Sequence, residues 1–158
     1  MKKREPLKFF LILTVTIVIF TLGLTIYINN ENKVIDRSAI ELELRSYNNL
    51  HFITAKIDNS EKHFLLDTGA SESMIRLSDL ADVNYTQLEN GFFTMANGEN
   101  VELERIMVDS ICINNISVKD FTFAVIPSET ENLLGKNFLN TFKKWTIDNK
   151  KNKLIVIK

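Results

Sequence analysis

An apolar run that stops at an acidic residue constrains the fold of this chain more than any other stretch. Residues 64–66 are Phe-Leu-Leu, and Asp67, Thr68 and Gly69 follow them directly. Such a run is typical of a buried strand, and the glycine predicts a tight loop at its end. A carboxylate at the end of a buried strand is costly unless it is paired, hydrogen-bonded or used in chemistry. Because Asp, Thr and Gly are also ordinary turn residues, the stretch alone fits either a simple turn or a functional loop.

The segment from Asp67 to Ala70 resembles the Asp-Thr-Gly-Ala active-site loop of aspartic proteases. A second segment, residues 133–139, begins with two leucines and Gly135. It resembles the apolar-apolar-Gly segment and short helix found near the end of retropepsin-like proteases. Strand-like sequence lies between the two segments, and the resemblance covers roughly residues 40–158. It implies a single-lobed aspartic protease.

The resemblance implies a role for each residue of these two motifs. Asp67 is the catalytic carboxylate, and Thr68 offers its hydroxyl to brace the loops of two subunits. Gly69 lets the backbone approach the carboxylates and substrate closely, and Ala70 leaves room for the substrate backbone. Gly135 packs beneath the active-site loop, where a side chain would push the Asp out of line.

Peptide hydrolysis by this route needs two carboxylates on one water, and they share a proton because two like charges so close cannot both ionise. The chain holds one Asp-Thr-Gly, and other acids such as Asp58, Asp79 and Asp109 lack its flanking pattern. We therefore expect a symmetric homodimer in which Asp67 of each chain meets on the two-fold axis. The expected partner beyond the second copy is a polypeptide substrate, and no cofactor is implied.

A strong hairpin signal lies at Asn97-Gly98, because both residue types accept positive φ. We interpret Met95, Ala96, Asn97 and Gly98 as the tip of a flap that closes over the substrate. An ordinary surface hairpin remains the alternative.

Many short strand-like runs separated by turn residues predict an all-β fold. With the resemblance, we expect a small closed barrel of the retropepsin type. One short helix is expected near the C-terminus, over residues 136–143, and residues 145–157 are expected to form a closing hairpin. A single transmembrane helix is expected to precede this barrel.

The expectation of a transmembrane helix comes from residues 9–28, which contain no charged side chain. About 20 such residues span a bilayer as a helix. We divide the chain into a basic cytoplasmic segment (1–8), a signal-anchor helix (9–28), a tether (29–39) and a protease domain (40–158). The basic flank predicts a cytoplasmic N-terminus and an extracytoplasmic, periplasmic or extracellular, protease domain. A cleaved signal peptide is the alternative.

Charge and cysteine content exclude several function classes. The chain has 19 Lys and Arg against 20 Asp and Glu, and four of the basic residues precede residue 9. The remainder is mildly acidic and offers no footprint for nucleic acid. Cys112 is the single cysteine, so no intramolecular disulfide can form, and one cysteine with two histidines predicts no metal site.

Two positions depart from the pattern of viral relatives. Those often pair an acid, four residues after the catalytic Asp, with an Arg directly after the glycine of the second motif. Ser71 and Lys136 stand at these places, so we expect that ion pair to be absent.

The alternative function is a non-catalytic extracytoplasmic binding domain that keeps the protease fold.

Overall fold

The computed structural model describes residues 14–28 and 39–158. The chain divides into two compact units, Met1–Ala39 and Ile40–Lys158. In the first unit the described residues form one helix, α1, over 14–28, and its side chains are exposed. The predicted basic segment and most of the predicted tether lie outside the described residues, as do residues 9–13 of the predicted anchor.

The prediction of a transmembrane helix is wrong for the described chain. No helix within residues 14–28 and 39–158 combines the length and the apolar character that crossing a bilayer requires. The predicted extracytoplasmic location rested on the orientation of that helix and stays a prediction.

The second unit is built almost entirely of strands, as the sequence predicted. Beside the strands it contains a single 3₁₀ turn, Leu77–Leu80, and one short helix, α2 (Lys136–Leu139). The strands are β1 (Ala39–Glu43), β2 (Arg45–Tyr47), β3 (Leu50–Ile57), β4 (Ser60–Leu66), β5 (Ser73–Arg76), β6 (Thr86–Thr94), β7 (Asn100–Ile113), β8 (Ile116–Ile126), β9 (Leu133–Leu134), β10 (Lys144–Asp148) and β11 (Lys153–Ile157).

Eight strands form one sheet in the order β2-β3-β4-β9-β5-β8-β7-β6, and an extra pairing of β3 with β7 closes it. The closure is antiparallel, with Lys56 opposite Cys112 and Ile57 opposite Ile111. Short β9 pairs parallel with β4 and antiparallel with β5. The strands β3, β4, β9, β5, β8 and β7 therefore close into a small barrel. Strand β6 lies outside this closed ring and forms a hairpin with β7.

Strand β11 is the middle strand of a separate three-stranded sheet, β1-β11-β10. Its Leu154 and Val156 are fully buried in the same apolar cluster as the barrel residues. Because both edges of β11 are occupied within its own chain, this strand has no edge left to pair with a second copy.

The core contains a chain of aromatic rings that ties α2 to the barrel. Phe64 of β4 stacks on Phe123 of β8 with ring centroids 5.8 Å apart. Phe121 meets Phe123 and Phe138 edge to face, at 4.9 Å and 6.3 Å. Burying one such ring contributes about 1.5–3 kcal/mol. Helix α2, although only one turn long, is thereby packed against β8, which in turn packs against the strand that leads to Asp67.

Helix α2 ends earlier than the sequence predicted. The expected helix over residues 136–143 stops at Leu139, and Asn140 is its C-cap. The next residues continue in tight turns: the backbone N–H of Thr141 donates to the carbonyl of Phe138 (3.1 Å), and its hydroxyl donates to the same carbonyl (2.8 Å). These turns bring Phe142 back into the core, where its ring centroid lies 5.3 Å from that of Phe138.

Candidate active site

Asp67 follows the last residue of β4 and is held there by β9. The pairing places Leu65 beside Leu133 and Leu66 beside Leu134. The backbone N–H of Asp67 then donates to the carbonyl of Leu134 (3.0 Å). Because Leu66 and Leu134 are buried in the apolar core, the core fixes the position of the Asp67 backbone.

The carboxylate of Asp67 is held by its own loop. Oδ1 accepts hydrogen bonds from the backbone N–H groups of Gly69 (2.7 Å) and Ala70 (3.3 Å). Hydrogen bonds of this kind to a carboxylate are stronger than neutral ones. A Cβ at Gly69 would lie 3.1 Å from Oδ1, which is why glycine suits this tight loop. The side chain of Asp67 is half-buried and lines a groove.

Gly135 lies directly against the loop that carries Asp67. A Cβ at this position would meet the carbonyl oxygens of Glu72 (2.8 Å) and Ala70 (2.9 Å). The first N–H groups of the following segment also reach the loop: Lys136 donates to the carbonyl of Ala70 (2.9 Å) and Asn137 donates to that of Ser71 (3.2 Å). The two motifs, 68 positions apart in sequence, therefore form one hydrogen-bonded unit.

Two polar residues that sequence reasoning missed brace this unit from below. Ser73 is fully buried, and its Oγ donates to Asn137 Oδ1 (2.7 Å) while accepting from the backbone N–H of Gly135 (2.9 Å). Asn137 Oδ1 also accepts from the backbone N–H of Ser73 (2.9 Å), and its Nδ2 donates to the carbonyl of Thr122 in β8 (3.0 Å). The sequence signal that could have identified Asn137 is its polar side chain two residues after Gly135.

A third missed residue, Asn132, is fully buried one position before β9. Its Nδ2 donates to the carbonyl of His63 (3.0 Å) and to Asp79 Oδ2 (2.6 Å), and its Oδ1 accepts from the backbone N–H of Arg76 (2.7 Å). One amide side chain thus joins β4, the end of β5 and the 3₁₀ turn around β9.

Asp79 carries a negative charge in this partly buried cluster. Burial raises the pKa of its carboxyl, but the hydrogen bond from Asn132 and the bonds and charge of Arg76 outweigh that effect, so the pKa lies below its ordinary value. The Arg76 guanidinium donates to Asp79 Oδ2 through Nε (3.1 Å) and Nη2 (2.9 Å). Asp79 is committed to this structural cluster and does not line the groove of Asp67.

The predicted flap is a hairpin of β6 and β7 with its turn at residues 95–99. Gly98 has φ +86°, and the backbone N–H of Met95 donates to the carbonyl of Glu99 (2.8 Å). Met95 and Ala96 line the same groove as Asp67, whereas Asn97 and Gly98 lie at the outer tip of the turn and do not line it. The structure therefore brings half of the predicted flap residues to the site.

The groove has a volume of about 820 Å³. The loop after β4 forms one wall and the β6–β7 hairpin forms the other. Its lining is Asp67, Gly69, Ala70, Ser71, Glu72, Met74, Gly91, Phe92, Phe93, Thr94, Met95, Ala96, Arg105 and Leu133. The Asp67 carboxylate therefore lies at this groove.

Thr68 does not line the groove and its side chain is exposed. Within the described residues of one chain its hydroxyl has no hydrogen-bond partner. Ser71 and Lys136 stand where viral relatives often have an acid and an Arg, and Glu72, next to Ser71, pairs with Arg105 of β7 at 2.9 Å.

Comparisons with known proteins bear on the same segment. A model of the family described as "gag-polyprotein putative aspartyl protease" matches residues 53–141, more than half of the 158 residues. This range includes both Asp67 and Gly135. No curated protein sequence matches the chain.

Two solved structures share the fold. A retropepsin-like aspartic protease from Rickettsia conorii has a TM-score of 0.55 and 24% identity, over 75% of this chain and 89% of that one. The EIAV protease, solved in complex with the inhibitor HBY-793, has a TM-score of 0.52 and 21% identity, over 61% of this chain and 93% of that one. The predicted all-β, retropepsin-like barrel with one short helix is therefore confirmed, whereas the transmembrane helix predicted to precede it is not.

Proposed function

This chain belongs to the gag-polyprotein aspartyl protease family and is an aspartic endopeptidase, and we propose that it works as a homodimer whose two Asp67 side chains activate one water. The observation that carries the proposal is the placement of Asp67. Its carboxylate lies in a groove of about 820 Å³, on a loop that β9 and α2 hold by backbone hydrogen bonds. A preorganised carboxylate of this kind is what general-base catalysis needs.

Among the described residues, no second carboxylate that is free of an ion pair lines the groove. The other acid in its lining is Glu72, and its Oε1 is engaged by Arg105. A second copy related by a two-fold axis would supply an identical Asp67, since an isologous contact repeats the same residue on both sides. Thr68, exposed and without a hydrogen-bond partner in the described part of its own chain, would then meet the partner loop at that axis.

The reaction divides between the two carboxyl groups. The ionised Asp67 takes a proton from the water as the water oxygen attacks the peptide carbonyl carbon, and the protonated Asp67 of the partner donates its proton to the carbonyl oxygen. The gem-diol then collapses: the leaving nitrogen takes a proton from the dyad as the C–N bond breaks, and one gem-diol hydroxyl returns its proton to the dyad as the product carboxylic acid forms. The two carboxyls finish with one shared proton, as they began.

The hairpin of β6 and β7 supplies the cover for this step. Met95 and Ala96 already face the groove, so closure of the hairpin over a bound peptide would exclude bulk water from the dyad. Exclusion of water strengthens the electrostatic interactions within the site. The substrate backbone would pair with the strands on each side of the groove, as extended peptides do on exposed sheet edges.

An Asp67→Asn variant tests the proposal. It removes the base and the shared proton while keeping the size and the hydrogen-bond acceptor of the side chain. We expect it to fold and dimerise as the wild type does and to lose cleavage of every member of a peptide library. The matched control is Asp109→Asn, an exposed acid outside the groove, which should cut as the wild type does.

Cleavage retained by Asp67→Asn would end the proposal. A wild-type chain that binds peptides from the library without cutting any of them would instead favour a binding domain with a protease fold.

A further inference from the structure

An ion pair inside the groove has no part in the reaction proposed above. Arg105 of β7 donates to Glu72 Oε1 through both Nε (3.1 Å) and Nη2 (2.9 Å). Both residues line the groove together with Asp67. Their side chains are only 31% and 16% exposed, so the pair forms part of the groove wall and is unlike the solvated pairs on the outer surface.

The hairpin is shaped to let Arg105 reach this wall. The pairing of β6 with β7 is irregular between Leu88 and Gly91, with Leu88 opposite Arg105 and Gly91 opposite Leu103. A Cβ at Gly91 would lie 2.7 Å from Cδ of Arg105 and 2.8 Å from the ring of Phe93. The stem of Arg105 therefore passes over Gly91, and a Cβ at this position would require the side chains of Arg105 and Phe93 to shift.

The pair leaves one donor group and one acceptor unused. Since both bonds from the guanidinium end on Oε1, Nη1 of Arg105 and Oε2 of Glu72 have no partner among the described residues. No fully buried polar side-chain atom in the described chain lacks a hydrogen-bond partner. Nη1 and Oε2 are therefore accessible, and the groove is the space that both residues line.

We infer that the Arg105–Glu72 pair is a specificity subsite that takes a carboxamide side chain, Asn or Gln, of the polypeptide substrate. This inference rests on the proposed function. The amide oxygen accepts from Nη1 of Arg105, and the amide NH₂ donates to Oε2 of Glu72. A carboxamide is the side chain that presents one acceptor and one donor side by side.

The charge of the wall favours a neutral side chain over a charged one. Arg105 and Glu72 neutralise each other, so a substrate carboxylate would add an unbalanced negative charge near Asp67, and a lysine would add a positive charge beside Arg105. An apolar side chain would cover Nη1 and Oε2 without satisfying them, and unsatisfied groups of this kind oppose binding.

The test is a cleavage-site profile of the full chain on a peptide library, followed by matched peptides that differ at one position only. For the wild type we expect Asn or Gln to be enriched at one position near the scissile bond. Relative to Leu or Asp at that position, we expect kcat/KM to be roughly tenfold higher, since a partly exposed site discriminates less than a sealed one.

Two variants separate recognition from a structural role. Glu72→Gln keeps an acceptor for Arg105 but removes the negative charge, so the preferred side chain should change from amide to Asp or Glu. Arg105→Met leaves Glu72 without a cation, so the preference for an amide should be lost and Lys or Arg should gain. If the pair had only a structural role, each substitution would lower the cleavage of all peptides by the same factor.

Asp82→Asn is the matched control, because Asp82 pairs with Lys62 at 2.6 Å outside the groove. Its profile should equal that of the wild type. Thermal unfolding of each variant shows whether it is folded, and Glu72→Gln serves if Arg105→Met does not fold.

Cleavage by the wild type without an amide preference would overturn the inference and leave the proposed function standing. An amide preference that both Glu72→Gln and Arg105→Met retain would likewise overturn the inference and leave the proposed function standing. A wild-type chain that cuts no peptide would overturn both.

Discussion

Replacement of Gly135 by alanine tests whether the second motif positions the catalytic loop. The backbone of Gly135 has φ −98° and ψ −167°, an extended conformation that alanine adopts freely, so the added methyl group acts only through its contacts. It would lie 2.8 Å from the carbonyl oxygen of Glu72 and 2.9 Å from that of Ala70. Both are backbone atoms, which cannot move aside as a flexible side chain would.

The size of the effect follows from these distances. Ordinary contact begins at 3.4 Å, so the loop has to move by about 0.6 Å for the methyl group to fit. Overpacking of this kind costs about 1–3 kcal/mol of folding free energy. Ala70 donates to the Asp67 carboxylate, so the shift reaches the catalytic group. A displacement near 1 Å at a reacting group costs about 100-fold, and we expect kcat to fall roughly 10- to 100-fold.

Two measurements check the expectation: urea unfolding for the free energy, and steady-state cleavage of the best library peptide for kcat and KM. Gly23→Ala is the control, because a Cβ at Gly23 in α1 has no atom within 4 Å, and its kcat should be unchanged. If Gly135→Ala unfolds and cuts as the wild type does, the loop does not depend on the glycine and the positioning argument is wrong.

Three further predictions concern the support of the site. Asn132→Leu should lower the unfolding free energy by about 3 kcal/mol, because the partly buried His63 carbonyl and Arg76 N–H lose the hydrogen bonds that they make with Asn132; a loss below about 1 kcal/mol in urea unfolding would contradict this. The pKa of Asp79 is lower in the folded protein than in the unfolded chain. The ionised Asp79 therefore stabilises the fold fully at pH values above the ordinary pKa of about 4, and this stabilisation is lost as the pH falls through the lowered pKa of the folded state. The difference in unfolding free energy between wild type and Asp79→Asn should therefore be constant from neutral pH to about 5 and shrink in stronger acid; a difference that grows on acidification would refute it. Deletion of β11 should unfold the domain, since it removes the fully buried Leu154 and Val156; a folded monomer by circular dichroism and sedimentation would contradict this.

Much of the barrel could be predicted from local patterns. The hairpin of β3 and β4 and the turn at Asn114 and Asn115 follow from apolar runs separated by residues that tolerate positive φ, and Asn114 indeed has φ 51°. The length of β7 could not be predicted in this way. Arg105 and Asp109 interrupt its apolar pattern, so the local sequence does not show that residues 100–113 form one strand. Pairing with β6, β8 and β3 decides that length, and pairing partners are not encoded locally.

The site was predictable where a motif carries it and unpredictable where distant residues meet. Asp67 and Gly135 were selected from sequence patterns, and the structure places them in one hydrogen-bonded unit. Ser73, Asn132 and Asn137 were missed because each acts through partners up to 69 positions away. Arg105 was missed for the same reason: it reaches Glu72 only after the irregular β6–β7 pairing has placed it. The prediction of a transmembrane helix was wrong for a different reason. A run of uncharged residues indicated a membrane-spanning helix, and the described residues contain no such helix.

Subunit mixing tests the shared dyad most directly. Wild-type chain is equilibrated with a tenfold excess of Asp67→Asn chain under conditions of subunit exchange, and cleavage is then measured at saturating peptide. If an active site needs Asp67 from two chains, most wild-type chains will have an inactive partner and activity will fall to about a tenth. Activity that stays unchanged at any excess of the variant would show that one chain is sufficient, and the account would be wrong.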